Sequence, residues 1–245
     1  MKHIRNIFLL LSCFFFSTLG YGATKIGMLL YDPPYVISPK EGFDVDLSRI
    51  LCIDLKLSCQ FIFFQNSQAL YDALKSGQVD LALSGITISS SREKNFLFSL
   101  PYMLSQGQFM TLKKSGLQSV DDLNGTTVGV IKDTLSGGVL YSYLNNNFQG
   151  KFKITQYDNV EDMLSALSNN TISAVFLYRS DVNYWNHNSG NVFQSLGPVV
   201  TLGKGLAIMT TPKNENLINQ INNYLQRMEK DNTYLNLYRV YFSNQ

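Results

Sequence analysis

Two stretches far apart in the chain follow the same local plan, and that repetition limits the fold more than any other feature. Residues 69–83 (Ala-Leu-Tyr-Asp-Ala-Leu-Lys-Ser-Gly-Gln-Val-Asp-Leu-Ala-Leu) and 163–176 (Met-Leu-Ser-Ala-Leu-Ser-Asn-Asn-Thr-Ile-Ser-Ala-Val-Phe) each read as a helix, a tight turn and a buried strand. Apolar residues at helical spacing, then a polar turn, then a short apolar run, describe a helix laid against a sheet. Around these units the pattern predicts strands at 26–30, 60–64, 79–83, 127–131, 154–157 and 172–177. Helices are predicted at 44–55, 68–76, 135–145 and 160–169. Strands alternating with amphipathic helices give an α/β fold with largely parallel sheets. Two rounds of the alternation imply two similar lobes.

The tail, with a strand expected at 206–209 and helices at 214–230 and 233–241, is too short for a third domain. It is expected to return to the first lobe. The expected division is therefore 24–110 with 203–245 for lobe 1 and 111–202 for lobe 2, joined by two crossover segments that form a hinge.

Residues 1–23 differ from the rest. Lys2 and Arg5 supply a positive start, Ile7 to Phe16 an almost purely apolar run, and Gly20-Tyr21-Gly22-Ala23 a small-residue exit, the anatomy of a cleaved secretory signal peptide. The apolar run falls short of the roughly 20 residues a membrane-crossing helix needs. Cleavage is expected after Gly22 or Ala23, placing the mature protein in the periplasm. Leu10-Leu11-Ser12-Cys13 also fits a lipoprotein box, with Cys13 as the alternative acylation point.

Losing Lys2 and Arg5 brings the chain's 20 basic residues level with its 18 acidic ones. A neutral chain with dispersed charge has no basic stripe for a phosphate backbone, so neither nucleic acid nor an anionic membrane is expected as a partner. Cys52 and Cys59 remain after cleavage. An oxidising compartment permits them to pair, the alternative being two buried thiols.

Several segments, in order, resemble the family-3 extracellular solute-binding proteins, periplasmic receptors for polar amino acids that serve ABC importers. They are Pro33-Pro34-Tyr35 with Gly42-Phe43-Asp44-Val45-Asp46-Leu47; Leu74-Lys75-Ser76-Gly77 with Val79-Asp80; and Ser84-Gly85-Ile86-Thr87-Ile88-Ser89 running on to Arg92. Further on come Phe98-Ser99-Leu100-Pro101-Tyr102, Val120-Asp121-Asp122-Leu123-Asn124-Gly125, and Asp231-Asn232-Thr233-Tyr234. The match spans essentially the whole mature chain; no one piece is specific, but the ordered set is. The resemblance implies the two-lobe periplasmic binding protein fold of type II, a small-molecule ligand between the lobes, a membrane permease as partner, a monomer, no cofactor and no metal. Cys52 and Cys59 stand where the lysine/arginine/ornithine and histidine receptors of this family carry a disulfide.

The ligand residues follow from both lines of reasoning. In Ser89-Ser90-Ser91-Arg92-Glu93, Ser90 and Glu93 have capping-box spacing, predicting a helix start with Arg92 in its first turn. An anion is welcome at such an end, and arginine grips a carboxylate with two parallel hydrogen bonds. By resemblance Arg92, Thr87, Ser84 and the backbone of Gly85 bind the ligand's α-carboxylate. In the second lobe, Asp133-Thr134-Leu135 marks another expected helix start, where Thr134 could reach the same group or Asp133 could act simply as an N-cap.

Where relatives carry an Asp for the α-ammonium, this chain has Tyr178, followed by Arg179. Where an aromatic is usual, it has Asp32 with Tyr31 beside it, and Ser67 replaces another aromatic. Two readings stay open: the amine goes to Asp32, Asp133 or Asp181, or the ligand lacks a standard ammonium and Arg179 meets additional negative charge, as for an opine or dicarboxylate. Tyr178 could hydrogen-bond either ligand.

Catalysis is not expected. Outside the leader the only histidine is His187, and there is no Ser-x-x-Lys, Gly-x-Ser-x-Gly or metal-ligand spacing. The enzymatic alternative is a dehydratase on the same fold. Tyr184, Trp185, Tyr234 and Tyr238 read as core or hinge packing.

Overall fold

Asn66 and Asn159 open the two copies of the repeated unit. The computed structural model, which describes residues 22–135 and 138–243, gives a first round of β1 (Thr24–Leu29), α1 (Phe43–Asp54), β2 (Cys59–Phe64), α2 (Ser67–Ser76), β3 (Leu81–Ala82) and β4 (Leu97–Phe98). The second comprises β5 (Gln106–Leu112), β6 (Thr127–Ile131), α3 (Val139–Asn147), β7 (Lys153–Tyr157), α4 (Val160–Ser168), β8 (Ala174–Tyr178), α5 (Arg179–Asn188) and β9 (Phe193–Thr201). The chain ends with β10 (Met209–Thr210), α6 (Glu215–Lys230) and α7 (Thr233–Phe242). Asn66 accepts the Ala69 amide at 3.0 Å and Asn159 the Asp162 amide at 2.8 Å, so each helix has a side-chain N-cap. Gly77 at φ 78° and Asn170 at φ 57° then turn the chain back toward the following strand.

Each sheet is built on the same scheme. In the first, the order is β2-β1-β3-β10-β4, with β1 parallel to β2 and β3 and with β10 antiparallel to β3 and β4. In the second it is β7-β6-β8-β5-β9, with β6 parallel to β7 and β8 and with β5 antiparallel to β8 and β9. The repeated helices need room at the centre of each sheet, and glycine provides it. A methyl on Gly27 of β1 would lie 2.7 Å from Leu70 of α2, and one on Gly129 of β6 would lie 2.6 Å from Ile172 and 3.1 Å from Met163 of α4. Leu70, Leu74, Met163 and Leu167 are buried there, each contributing roughly 1.5–3 kcal/mol of burial.

The tail does return to the first lobe: β10 joins its sheet, and Ile221, Leu225, Met228, Leu237 and Phe242 pack into its core around Phe43. Strand β5 moves the expected boundary. Residues 106–110, read as lobe 1, pair with β8 and β9 and stand in the second sheet, so the chain crosses over 99–105 and comes back over 202–208. The strand is inconspicuous because Gln106 and Gln108 break its apolar run. The two crossings are hydrogen-bonded to each other, Leu202 N–H to Ser105 at 2.8 Å and Leu206 N–H to Met103 at 2.8 Å, which makes them one hinge. Cys52 and Cys59 form a disulfide between the end of α1 and the start of β2. Residues 1–21, Cys13 among them, lie outside the described residues, and the signal-peptide and lipoprotein expectations fall there.

Two helix expectations change. No helix starts at Ser90: the Arg92 and Glu93 amides both reach the Ser89 carbonyl, the Asn95 and Phe96 amides both reach that of Arg92, and these successive turns run directly into β4. Glu93 pairs with Lys204 at 2.8 Å instead of closing a capping box. Helix α3 begins at Val139 rather than Leu135, because Leu135 and Gly138 take positive φ values (58° and 73°) and the Asp133 side chain is engaged across the lobes rather than capping a helix.

Candidate functional site

Arg92 is the centre of the interlobe contact. Its side chain, 1% exposed, extends from lobe 1 and sends Nη1 to the Thr87 carbonyl at 3.0 Å. Its Nη2 donates to Oδ2 of Asp133, in lobe 2, at 2.6 Å, and lies 3.5 Å from the Thr134 carbonyl. The guanidinium stands 5.1 Å over the Tyr71 ring, and the Tyr71 hydroxyl donates to Oδ1 of Asp133 at 2.7 Å. Both oxygens of Asp133 are therefore held by lobe 1, and the carboxylate keeps Arg92 charged despite its burial.

The other lobe-to-lobe contacts lie around this pair. The Thr87 hydroxyl, fully buried, donates to Tyr178 at 2.9 Å and meets Ser105 of the hinge at 2.8 Å. Tyr35 and Ser180 share a hydrogen bond of 2.6 Å, the Thr134 hydroxyl donates to Gln68, and Tyr31 packs edge-on to Trp185 with ring centres 6.5 Å apart.

Between the lobes remains a cavity of about 50 Å³ lined by Asp32, Tyr71, Ser84, Asp133, Tyr178 and Asp181, with Ser67, Gly85 and apolar neighbours. Ser84 and Gly85 line it but are partly committed: the Ser84 hydroxyl accepts from Leu29 N–H at 2.9 Å, and Gly85 N–H donates to Asp44 at 2.8 Å. Ser84 is held at φ 146°, a strained conformation for a residue with a side chain. Thr87, Thr134 and Tyr31 do not line the cavity; Tyr31 faces α5 instead, with its hydroxyl pushed up to about 12 chiefly by burial.

Arg179 and Asp181 face different hollows. Arg179 turns to Gln108 at 3.2 Å and lines a different hollow, of about 600 Å³, with Lys204, Tyr234 and Tyr238 near the hinge. Asp181, in contrast, faces the small cavity. Burial pushes its carboxyl up to about 8, against the Ser180 hydroxyl and nearby amides that lower it. Burial, then the negative charges of Asp181, Asp44 and Asp133, hold Asp32 well above the usual carboxylate range.

Two contributors escape sequence reasoning. Tyr71 reads as helix core, although a tyrosine on a buried helix face needs a partner for its hydroxyl. Asp44 sits on the buried face of α1, accepts from Gly85 and Tyr102, and has its other oxygen without a partner among the described residues; burial pushes it up to about 7.

A family model for bacterial extracellular solute-binding proteins, family 3, matches residues 24–244. The chain belongs to this family. An arginine 3rd transport system periplasmic binding protein from Legionella pneumophila superposes with a TM-score of 0.83 at 33% identity, covering 90% of this chain and 99% of that one. The ABC transporter arginine-binding protein 1 of Escherichia coli is 27% identical over 232 residues, 92% of this chain and 93% of that protein. The arginine-binding periplasmic protein of Mannheimia haemolytica is 26% identical over 213 residues, 84% and 85% of the two chains. The family-3 architecture thus accounts for the paired sheets and the double crossing. In this chain Asp133 of the second lobe is the carboxylate paired with Arg92.

Proposed function

We propose that the chain is the periplasmic substrate-binding subunit of an ABC importer, exported with removal of its leader. It closes two lobes on a small amino-acid-like molecule as a monomer and presents the closed form to a membrane permease. The observation that carries this reading is the convergence of Asp32 and Tyr71 from one lobe with Asp133, Tyr178 and Asp181 from the other around an internal cavity, beside the Arg92–Asp133 bond, that a hinge of two crossings can open. A molecule touching both lobes binds the closed state better than the open one, which is how occupancy is signalled. The relatives named for arginine binding support a ligand of amino-acid type.

The carboxylates around the cavity argue against a dicarboxylate, and Arg179, placed elsewhere, offers it no counter-charge. Capture rather than turnover is supported by the position of His187, exposed at the end of α5 with its ring on the Asn183 carbonyl.

A thermal-shift screen of amino acids, their amines, opines and dicarboxylates tests the reading. Ligand at 100 times Kd adds about 2.7 kcal/mol, a rise of roughly 5–10 °C for a chain of this size. A screen in which no compound raises the melting temperature sinks it.

A further inference from the structure

Three N–H groups of the Arg92 guanidinium are engaged within the protein. Nη1 holds the Thr87 carbonyl, Nη2 holds Asp133 with the Thr134 carbonyl behind it, and Tyr71 covers the face. Arg92 does not line the interlobe cavity. The charged residues that do line it are Asp32, Asp133 and Asp181, with no Lys, Arg or His in its walls among the described residues. Asp133 is neutralised by Arg92; Asp32 and Asp181, one from each lobe, face no cation. Beneath them Asp44, fully buried, leaves one carboxylate oxygen without a partner among the described residues.

A second, larger hollow of about 420 Å³ lies beside the cavity. It shares Leu29, Asp32, Ser67 and Ile131 with it and adds Asp158, Glu161 and Asp162, again with no basic residue in its walls. Carboxylates line both hollows and Asp32 stands in the walls of each, while Asp158 of the outer one is paired with Lys132 at 3.6 Å. Such walls concentrate cations and repel anions. The inner cavity accepts a group about the size of an ammonium, and the outer hollow accepts the rest of a short chain with a second positive end.

We propose that Asp133 is a built-in carboxylate that occupies Arg92 in place of a ligand's own, so that this cleft selects a small aliphatic cation lacking a carboxylate, a diamine or guanidinoamine, with one cationic end between Asp32 and Asp181. The inference rests on the solute-capture reading and replaces its amino-acid ligand with the corresponding amine. An ammonium beside Asp32 and Asp181 supplies the counter-charge that lets the two buried carboxyls ionise, whereas a free carboxylate entering with it would meet Asp32, Asp133 and Asp181, with Arg92 outside the cavity walls and paired to Asp133. Removing the Asp133 carboxylate frees Arg92 and reverses the preference.

Isothermal titration of the mature protein with three matched pairs tests this: putrescine against ornithine, cadaverine against lysine, and agmatine against arginine, with succinate as the anionic control. In at least one pair the amine is expected to bind at least tenfold tighter than its amino acid. Asp181→Asn is expected to weaken that amine at least tenfold, separating seating in the cavity from loose attraction to an acidic surface. Asp133→Gly is expected to shift the pair's ratio at least tenfold toward the amino acid; far-ultraviolet circular dichroism confirms that each variant is folded, and the wild-type comparison stands without them. An amino acid that outbinds its amine in the wild-type protein, or an amine whose affinity is unchanged by Asp181→Asn, overturns the cation assignment while leaving solute capture intact. Silence from every pair and from succinate overturns both.

Discussion

Nη2 of Arg92 lies 2.6 Å from Oδ2 of Asp133, and the bond joins the two lobes at a point where the arginine side chain is 1% exposed and the aspartate 11%. The pair is asymmetric. Asp133 keeps a second partner in the Tyr71 hydroxyl and some contact with solvent, whereas Arg92 has no other counter-charge.

That asymmetry fixes the order of mutational effects. Asp133→Ala leaves a buried guanidinium uncompensated and is expected to cost about 3–5 kcal/mol. Arg92→Met leaves a carboxylate that Tyr71 and water can still satisfy, so it costs less. The double substitution Asp133→Ala with Arg92→Met is expected to be less destabilised than the two single costs added together. Urea denaturation of the four proteins measures this, and strict additivity would show that the pair is not coupled.

The strands and helices of both repeated units were legible because apolar periodicity and turn chemistry agree there. Arg92 stood out for its place in a serine-rich turn after a buried strand. Asp133 reads as a ligand residue or a helix cap, and its bond to Arg92 is not legible because it depends on the loop at Leu135 delaying α3 and on the second lobe swinging it over the first. Strand β5, broken by Gln106 and Gln108, and helix α5, rich in asparagine, carry weak periodicity and take their structure from tertiary pairing. The separation of Arg179 from Asp181 depends on which way two near neighbours on one helix point, and composition does not encode that.

The glycines at the centres of β1 and β6 are expected to be intolerant of branching. Gly129→Val would drive its side chain into Ile172 and Met163, and Gly27→Val into Leu70 and Val79, each costing about 1–3 kcal/mol or more through overpacking. Thermal melts should show a loss for both. A neutral outcome at either position would mean that the helix above it is not seated as described.

The disulfide closes a short loop between α1 and β2. Replacing both Cys52 and Cys59 with serine is expected to lower stability by about 2–4 kcal/mol, with dithiothreitol reproducing most of the loss in the parent protein. Insensitivity to reductant would argue that the bond does not form in solution.

Asp44 and Asp181, at about 7 and about 8 when folded, both lie above the unfolded carboxylate value of 3.8. In that window the native protein binds more protons than the unfolded chain. Their contribution to stability is therefore fully present below pH 4 and is lost as pH rises through 7–8, by up to about 1.4 kcal/mol per pH unit for each group. The ligand-free protein should melt higher at pH 5 than at pH 8 once its other carboxylates are accounted for by comparison with Asp181→Asn, whose slope should be shallower. A bound cation favours the ionised forms and so should bind more tightly at pH 8 than at pH 6.

Trp185 is the chain's single tryptophan, and it lies on α5 of lobe 2 edge-on to Tyr31 of lobe 1, its indole nitrogen buried. Lobe separation therefore has an intrinsic reporter. Breaking the Arg92–Asp133 bond removes a buried charged contact between the lobes, so Asp133→Ala should populate the open form, wet the indole and shift its emission to the red. A cation that seats between Asp32 and Asp181 should shift it back toward the blue in a saturable way, with the same midpoint as the calorimetric titration. Emission that does not move on Asp133→Ala would mean that this ion pair is not what holds the lobes together, and closure would then rest on the Tyr35–Ser180 and Thr87–Tyr178 hydrogen bonds.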